Sequence, residues 1–403
     1  MIPTVVSTTD LSATISALIS HALRPASPLA VVSNLSNGRV VRRLHTTSPH
    51  HNGIRSGQYH PLIVPTSGST TDAPHLVCLG EDALRASADA AHEHLNGPGQ
   101  WITVLPLDHI AGIQTVIRSV LSGHEPIVAL RDHFSPVHLA ATIEEARTHL
   151  PSSPLYTSLV SAQLVRCLEA DPLIARSLAS LDAIVVGGGF IAATLVDRAR
   201  EAGITLVRSY GMTETCGGCV YDGLPLEGVN IRTGEDGRIL LSGPLLMDDY
   251  LDEDAQWVEE DGHRWFVTSD LGSVAPDGRL SLKGRADELI KSAGEKVNLI
   301  AVAHAAEEVA GVRRAYACAV EDERWGHMVT LVVEQTEGAT WENQDFLAAS
   351  LRETVASRLG QAAAPRLIAV VDQLPVTSLG KVNRSHTRAL VEAMIRQGNV
   401  WQR

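Results

Sequence analysis

The sequence predicts an α/β protein: a large N-terminal domain of parallel αβ layers plus a small β-subdomain, then a small α+β C-terminal domain. Between Trp101 and Val207 short apolar runs alternate with segments of helical period, which is how parallel strands joined by crossover helices read. From about Val220 the runs shorten and the turns fill with Gly and Asp, the mark of a small β-structure. At 403 residues the chain has room for two or three domains.

Taken in order, Trp101–Leu105 reads as a strand. His109–Leu121 follows as a helix with Ile110, Ile113, Val116, Ile117 and Val120 at helical spacing, and Asp108 before it reads as an N-cap. Ile127–Leu130 is a strand and Pro136–Leu150 a helix. Ala183–Val186 is a buried strand running into Gly187-Gly188-Gly189; Phe190–Ala202 is a helix closed by Gly203, and Thr205–Val207 the next strand. This repeated unit predicts a doubly wound sheet. Gly237–Leu241, Trp265–Thr268 and Gly278–Leu282 are the short strands of the β-subdomain. Beyond residue 285 come a helix at Leu299–Ala310, strands at Arg314–Val320 and Met328–Glu334, a helix at Trp341–Leu359, a strand at Arg366–Val371 and a helix at Arg384–Ile395. There is no internal repeat and no low-complexity segment.

Composition excludes several classes. With 44% hydrophobic and 20% charged residues the chain reads as a soluble globular protein. A net charge of -13 argues against nonspecific nucleic-acid binding, which needs a basic surface. No apolar run approaches the roughly 20 residues of a membrane span, and the first segment lacks a basic leader, so a cytoplasmic location is expected. Five cysteines, an odd number, fit a reducing compartment rather than a disulfide framework. Cys216 and Cys219 form a lone C-x-x-C without the second pair a zinc site needs, and read as small residues lining a turn. His45, His50, His51 and His60 lack ligand spacing and read as a solvated loop.

Five segments carry chemistry. Pro65-Thr66-Ser67-Gly68-Ser69-Thr70 is a Gly/Ser/Thr loop, in which backbone N–H groups and hydroxyls can converge on a phosphate. Gly187-Gly188-Gly189 ends a buried strand but lacks the G-x-G-x-x-G of a dinucleotide fold. Ser209-Tyr210-Gly211-Met212-Thr213-Glu214-Thr215 sets a carboxylate beside hydroxyls after a strand. Lys283–Val297 reads K-G-R-A-D-E-L-I-K-S-A-G-E-K-V, and Leu374–Arg384 reads L-P-V-T-S-L-G-K-V-N-R.

Together with Thr268-Ser269-Asp270, these segments resemble, in order, the motifs of the adenylate-forming superfamily of acyl-CoA synthetases, adenylation domains and luciferases. The resemblance implies that Thr66, Ser67, Gly68, Ser69 and Thr70 form the phosphate loop, and that Gly187, Gly188 and Gly189 pass close to adenine. It implies that Ser209, Tyr210, Gly211 and Met212 frame the nucleotide, with Tyr210 stacked near adenine. Thr213 would contact the α-phosphate and Glu214 would hold Mg²⁺. Asp270 and Arg285 would reach the ribose. Lys381 would be the adenylation lysine, and His109 would gate the acyl pocket. By the same resemblance the chain divides into residues 1–284, with the β-subdomain at about 220–284, and a mobile domain at 285–403. Asp287 would be the pivot between them, with Lys291 and Gly294 on the CoA side. Two blocks depart from the pattern. Thr71-Asp72-Ala73-Pro74-His75 is one residue longer than the family's loop and has His75 where a lysine is expected, and Ser269 replaces a glycine.

The compact form, with His109–Pro126 and Tyr210–Gly223, is similar to the actinobacterial type of o-succinylbenzoate–CoA ligases of menaquinone biosynthesis. The implied substrates are ATP, CoA and o-succinylbenzoate, with an acyl-adenylate between. The second carboxylate of that acid calls for a cation, for which Arg118 and Arg208 are candidates on position alone. A ligase of different acid specificity and a non-catalytic nucleotide-binding protein stay open, as does a homo-oligomeric state.

Overall fold

The computed structural model describes residues 4–23, 29–32, 61–66, 75–131, 133–251, 254–322, 325–336, 344–376 and 382–402. By its contacts the chain splits into two compact units. The first comprises Met1–Gly234, Leu240–Thr268 and Val274–Ser281, and the second Glu235–Ile239, Ser269–Ser273 and Leu282–Arg403.

Two sheets and the helices between them build the first unit. Strands β1 (Thr4–Ser7), β2 (Leu29–Val32), β3 (Leu62–Pro65) and β4 (Leu76–Leu79) form one sheet, which the short strand Asp249–Tyr250 extends beyond β4. The second sheet contains β5 (Gln100–Thr103), β6 (Ile127–Val128), β7 (Leu155–Val160), β8 (Ala183–Gly187), β9 (Leu206–Met212) and β10 (Gly217–Tyr221), with Leu224–Pro225 at its edge. Its order runs from that edge through β10, β9, β8, β7 and β5 to β6. Strands β5 to β9 are parallel, while β10 returns antiparallel to β9.

The helices are α1 (Leu11–Leu23), α2 (Glu81–His94), α3 (Ile110–Leu121), α4 (Pro136–His149), α5 (Ser161–Glu169), α6 (Pro172–Ala179) and α7 (Ala193–Glu201). One apolar cluster joins Leu18 of α1, Leu84 of α2 and Ile113 and Val116 of α3 to Val31, Leu62 and Val77 of the first sheet. Another joins Ile102, Leu159, Ile184 and Val186 of the second sheet to Leu139 and Ile143 of α4, Leu164 of α5 and Leu195 of α7. Helix α3 is buried from Gly112 to Val120, polar residues included, as expected of a helix enclosed within layers. Strand β5 has β6 on one side and β7 on the other, so the strand order of the second sheet reverses there. Ligand clefts of open α/β sheets lie at such a reversal, outside the carboxyl ends of the strands. The loop Val104–His109 leaves β5 at that point.

A smaller sheet takes Asn230–Thr233, Arg238–Ser242, His263–Val274 and Trp257–Glu260 in that order, with Leu280–Arg285 beside His263–Val274. In the second unit, Gly326–Gln335 pairs antiparallel with Val312–Asp322 and parallel with Leu367–Val371. Helices α8 (Leu299–Glu307) and α9 (Gln344–Leu359) supply Val302, Ala306, Leu347 and Leu351 to a core with Leu331 and Val333. Helix α10 (Arg384–Gln397) packs Val391 against Val332 and Ala369.

Several elements differ from expectation. The helix expected from Phe190 starts at Ala193, because the chain stays extended at Ala192 and Ser161 Oγ donates to the Phe190 carbonyl. The strand expected at Thr205–Val207 runs to Met212, lengthened by its pairing with β10. Asp108 does not cap α3; His109 is the N-cap residue, with no side-chain capping bond. Strand β7 was not legible, because Thr157 and Ser158 interrupt its apolar pattern; both are buried, and Thr157 Oγ1 donates to the Ile102 carbonyl at 2.8 Å. The four histidines of the first 60 residues lie outside the described residues. All five cysteines are buried and free.

One buried polar triad lies beside α3. Trp101 Nε1 donates to His92 Nε2 at 3.1 Å, and the Arg118 guanidinium lies 4.8 Å from the Trp101 ring centroid. Burial, aided by the Arg118 charge, pushes the His92 imidazole down to about 4, so at neutral pH it is an uncharged acceptor. The folded value lies below the ordinary 6.5, so the unfolded chain binds the proton more tightly. This contribution is complete above the unfolded value and is lost as pH falls from there towards about 4, at a cost of about 3 kcal/mol. His92→Gln keeps an acceptor and removes the titration. Its Tm should therefore fall less than the wild type's between pH 7 and pH 5, measured by thermal denaturation.

Candidate active site

Parallel strands deliver their carboxyl ends to one edge of a sheet, so β5, β7, β8 and β9 bring four loops together. At the end of β8, Gly187 lies so near β9 that a Cβ would sit 2.9 Å from the Ser209 carbonyl oxygen. Gly188 adopts φ 78°, a left-handed conformation that glycine enters freely. After β9, Thr213–Thr215 form one 3-10 turn before the chain returns as β10.

That hairpin is tightly specified. A Cβ on Gly211 would overlap the Gly217 carbonyl. Thr215 Oγ1 accepts from the Met212 N–H at 2.9 Å and donates to the Gly217 carbonyl at 2.6 Å. Cys216 is left-handed at φ 51°, and its carbonyl accepts from Ser87 Oγ at 3.0 Å and Gln114 Nε2 at 2.8 Å. The Met247 N–H donates to the Glu214 carbonyl at 2.8 Å, and Tyr250 Oη donates to Glu214 Oε1 at 2.9 Å. The Thr213–Glu214 turn is therefore held from α2, from α3 and from the Met247–Tyr250 segment. Ser87, Gln114 and Tyr250 carry no motif signature, and no spacing or residue pattern singles them out.

Thr66 and His75 flank the segment that the family resemblance assigns to the phosphates. The Thr66 N–H donates to the His75 carbonyl at 2.8 Å, and the His75 N–H to Thr66 Oγ1 at 3.1 Å. The His75 ring stacks on Tyr250, with centroids 4.9 Å apart. Ser67, Gly68, Ser69 and Thr70 lie outside the described residues. At the sheet reversal, His109 Nε2 lies 3.8 Å from Asp108 Oδ1. The structure thus draws Thr66, His75, Tyr250 and Glu214 into one continuous set of contacts.

The two arginines proposed for the acyl pocket have other partners. Arg118 is 3% exposed and stacks on Trp101 near the C-terminal end of α3. It lies nine residues from His109, or roughly 13 Å along the helix at 1.5 Å per residue. Arg208 is half exposed and its Nε donates to Asp222 Oδ1 at 3.0 Å.

In the second unit, Arg285 joins two carboxylates. Its Nε and Nη2 donate to Asp287 at 2.8 and 2.9 Å, and its Nη1 to Asp270 at 3.3 Å. Burial alone would raise the Asp287 carboxyl, but the Arg285 hydrogen bonds and the charges of Arg285 and Arg384 outweigh it and hold it below the usual range. The neighbouring Glu288 pairs with Arg384. Lys291 and Gly294 sit on the hairpin of Leu289–Ser292 with Glu295–Asn298, whose two turn residues Ala293 and Gly294 both have positive φ, 53° and 84°. Lys381 lies outside the described residues, between Val376 and Val382, which form an isolated antiparallel bridge.

This edge sets a glycine-lined strand end beside a clamped Thr-Glu turn. The chain is an adenylate-forming enzyme and belongs to the AMP-binding enzyme family, whose model matches residues 57–251, with the AMP-binding enzyme C-terminal domain matching residues 301–381. It is 40% identical over 328 residues to a probable 2-succinylbenzoate–CoA ligase of Mycobacterium tuberculosis, covering 80% of this chain and 82% of that one. It is 30% identical over 368 residues to an indoleacetate–CoA ligase of Aromatoleum aromaticum, covering 83% and 68%. The fold is shared with o-succinylbenzoate CoA synthetase (MenE) from Bacillus subtilis in complex with the acyl-adenylate intermediate OSB-AMP, at TM-score 0.66 and 23% identity over 92% of this chain and 80% of that chain. It is also shared with the amide bond synthetase McbA from Marinactinospora thermotolerans, at TM-score 0.70 and 24% identity over 97% and 80%.

The position of Arg118 gives a clear expectation. Arg118→Ala removes the charge that helps keep His92 neutral and uncovers the Trp101 face, a loss of about 1–3 kcal/mol. Tm should fall, while the KM for the acid substrate stays within about twofold of wild type in steady-state kinetics.

Proposed function

We propose that this chain is an o-succinylbenzoate–CoA ligase acting in menaquinone biosynthesis. It adenylates o-succinylbenzoate with ATP and passes the acyl group to CoA, giving o-succinylbenzoyl-CoA, AMP and pyrophosphate. The observation that carries this reading is the 40% identity, over 82% of its length, to the mycobacterial relative of that name. The clamped Thr213–Glu214 turn supports the chemistry.

In the first step a carboxylate oxygen of the acid attacks the α-phosphorus of ATP. The bond to the bridging oxygen breaks and pyrophosphate leaves. Two anions must approach, and the Lys381 ammonium masks their repulsion. Thr213 donates to the α-phosphate, and Tyr210 stacks near adenine beside the Gly187–Gly189 strand end. Glu214 suits Mg²⁺, since its carboxylate is fixed by Tyr250 and Mg²⁺ commonly takes one or two carboxylates together with substrate phosphates. When bound, Mg²⁺ offsets charge on the phosphates. In the second step the CoA thiolate attacks the acyl carbon and the carbon–oxygen bond to AMP breaks.

In this reading Asp270 and Arg285 meet the ribose, and the mobile domain begins near residue 285 with Asp287 as the pivot. Lys381 acts in adenylation, while Lys291 and Gly294 face CoA in thioester formation. The reading places the enzyme in the cytoplasm. Among the described residues no helix is long and apolar enough to cross a membrane.

Pyrophosphate release across an acid panel tests the substrate. Release with o-succinylbenzoate is expected to exceed that with benzoate, indoleacetate or a fatty acid by at least about 100-fold. Preference for another acid would make the chain a different ligase, and no release with any acid would make it a binding protein. Lys381→Ala should lower adenylation on the order of 100-fold or more and spare thioester formation from preformed acyl-adenylate. Equal loss in both half-reactions would sink the two-conformation mechanism.

A further inference from the structure

The phosphate-loop segment departs from the family at His75, and the structure shows what that residue touches. Its backbone closes the loop segment through the reciprocal bonds with Thr66. Its ring stacks on Tyr250, with planes 26° apart. The hydroxyl of that same tyrosine donates to Glu214 Oε1 at 2.9 Å, and Glu214 is only 9% exposed. Tyr250 is itself pinned. Its strand pairs with β4, where Tyr250 lies opposite Val77, and its N–H donates to Asp249 Oδ1 at 2.9 Å. Asp249 in turn accepts from the Ala255 N–H at 2.8 Å. The ring therefore stands on a fixed backbone, with the loop residue on its face and the carboxylate at its hydroxyl.

We propose that Tyr250 is a positioning residue for adenylation. Its hydroxyl sets the orientation in which the Glu214 carboxylate meets the metal–nucleotide, and His75, stacked on the same ring, holds that ring against the paired Thr66 and His75 backbone. A carboxylate has several lone-pair directions, and a neighbouring donor that occupies one of them fixes which remain for a cation. The stack gives the loop end a mechanical connection to that carboxylate.

This inference rests on the reading of Glu214 as the metal carboxylate, and its test separates the two. Binding of Mn²⁺ with ATP, followed by the electron paramagnetic resonance signal of free Mn²⁺, needs no acid substrate and no turnover. Tyr250→Phe keeps the ring and removes the hydroxyl. It should weaken Mn²⁺ binding in the presence of ATP about tenfold and raise the Mg²⁺ concentration for half-maximal ATP–pyrophosphate exchange similarly. Thioester formation from preformed acyl-adenylate should stay within about twofold of wild type. His75→Phe preserves stacking and should retain near wild-type Mn²⁺ binding, whereas His75→Ala should approach Tyr250→Phe. Unchanged Mn²⁺ binding in Tyr250→Phe overturns the proposal, as does equal loss in both half-reactions. A His75→Phe defect as deep as that of His75→Ala overturns the stacking link. Should Tyr250→Phe fail to fold, Tyr250→Trp, which keeps a ring but displaces the donor, carries the same test. Tight Mn²⁺ binding with ATP that is insensitive to Glu214→Gln would instead remove the underlying reading of Glu214.

Discussion

The carbonyl of Cys216 is the constraint on which the site depends. A non-glycine residue in the left-handed region costs of order 1–3 kcal/mol and persists only where the surroundings over-determine it. Here Ser87 from α2 and Gln114 from α3 both donate to that one carbonyl, while Thr215 locks the residues on either side. The left-handed residue lets the chain reverse within a few positions, so that Thr213 and Glu214 stand at the carboxyl edge of the sheet rather than continuing β9. Gly211 and Gly218 follow from the same constraint, since side chains there would collide with the hairpin itself, and Gly217 takes φ 103°, a conformation that glycine enters freely.

Helix α3 links this turn to the rest of the fold. It is enclosed by apolar neighbours, yet carries Gln114, Thr115, Arg118 and Ser119, all buried. Each has a task inside the layer. Gln114 reaches the Cys216 carbonyl, Thr115 bonds to Thr103 at 2.8 Å, Ser119 accepts from the Trp101 N–H at 3.0 Å, and Arg118 lies on the Trp101 ring. Buried polar groups are costly unless paired, and paired ones fix a single arrangement of the elements they join. The helix that follows β5 is thus set in rotation and height against both β5 and the Thr213–Glu214 turn.

The second unit concentrates charge where the sequence places the pivot. Arg285 takes Asp287 with two hydrogen bonds and Asp270 with one, and Arg384 takes Glu288. The two groups that the family resemblance assigns to the ribose therefore satisfy one another in this structure. An arginine shared between two carboxylates can exchange one partner for a ligand hydroxyl without becoming unpaired. That suits a residue two positions from the proposed pivot, Asp287.

Much of this was legible from the sequence. The alternation of apolar runs gave the parallel sheet, because strand and helix periods are local properties of the chain. The Tyr210–Thr215, Arg285–Asp287 and Lys381 blocks identified the family by residue type and order alone. The extent of β9 was not legible, since its last residues become a strand only by pairing with β10. Nor was β7, whose Thr157 is polar by sequence and satisfied only by a carbonyl of the adjacent β5. Arg118 read as a candidate ligand because a sequence cannot show that a tryptophan seventeen residues earlier lies beneath it. The links from His75 to Tyr250 and from Tyr250 to Glu214 join residues 175 and 36 positions apart. The sequence by itself determined the chemistry available, because reactivity belongs to residue type. The tertiary structure decided which groups hold that chemistry in place, because hydrogen bonds and ring contacts between distant residues exist only after the chain has packed.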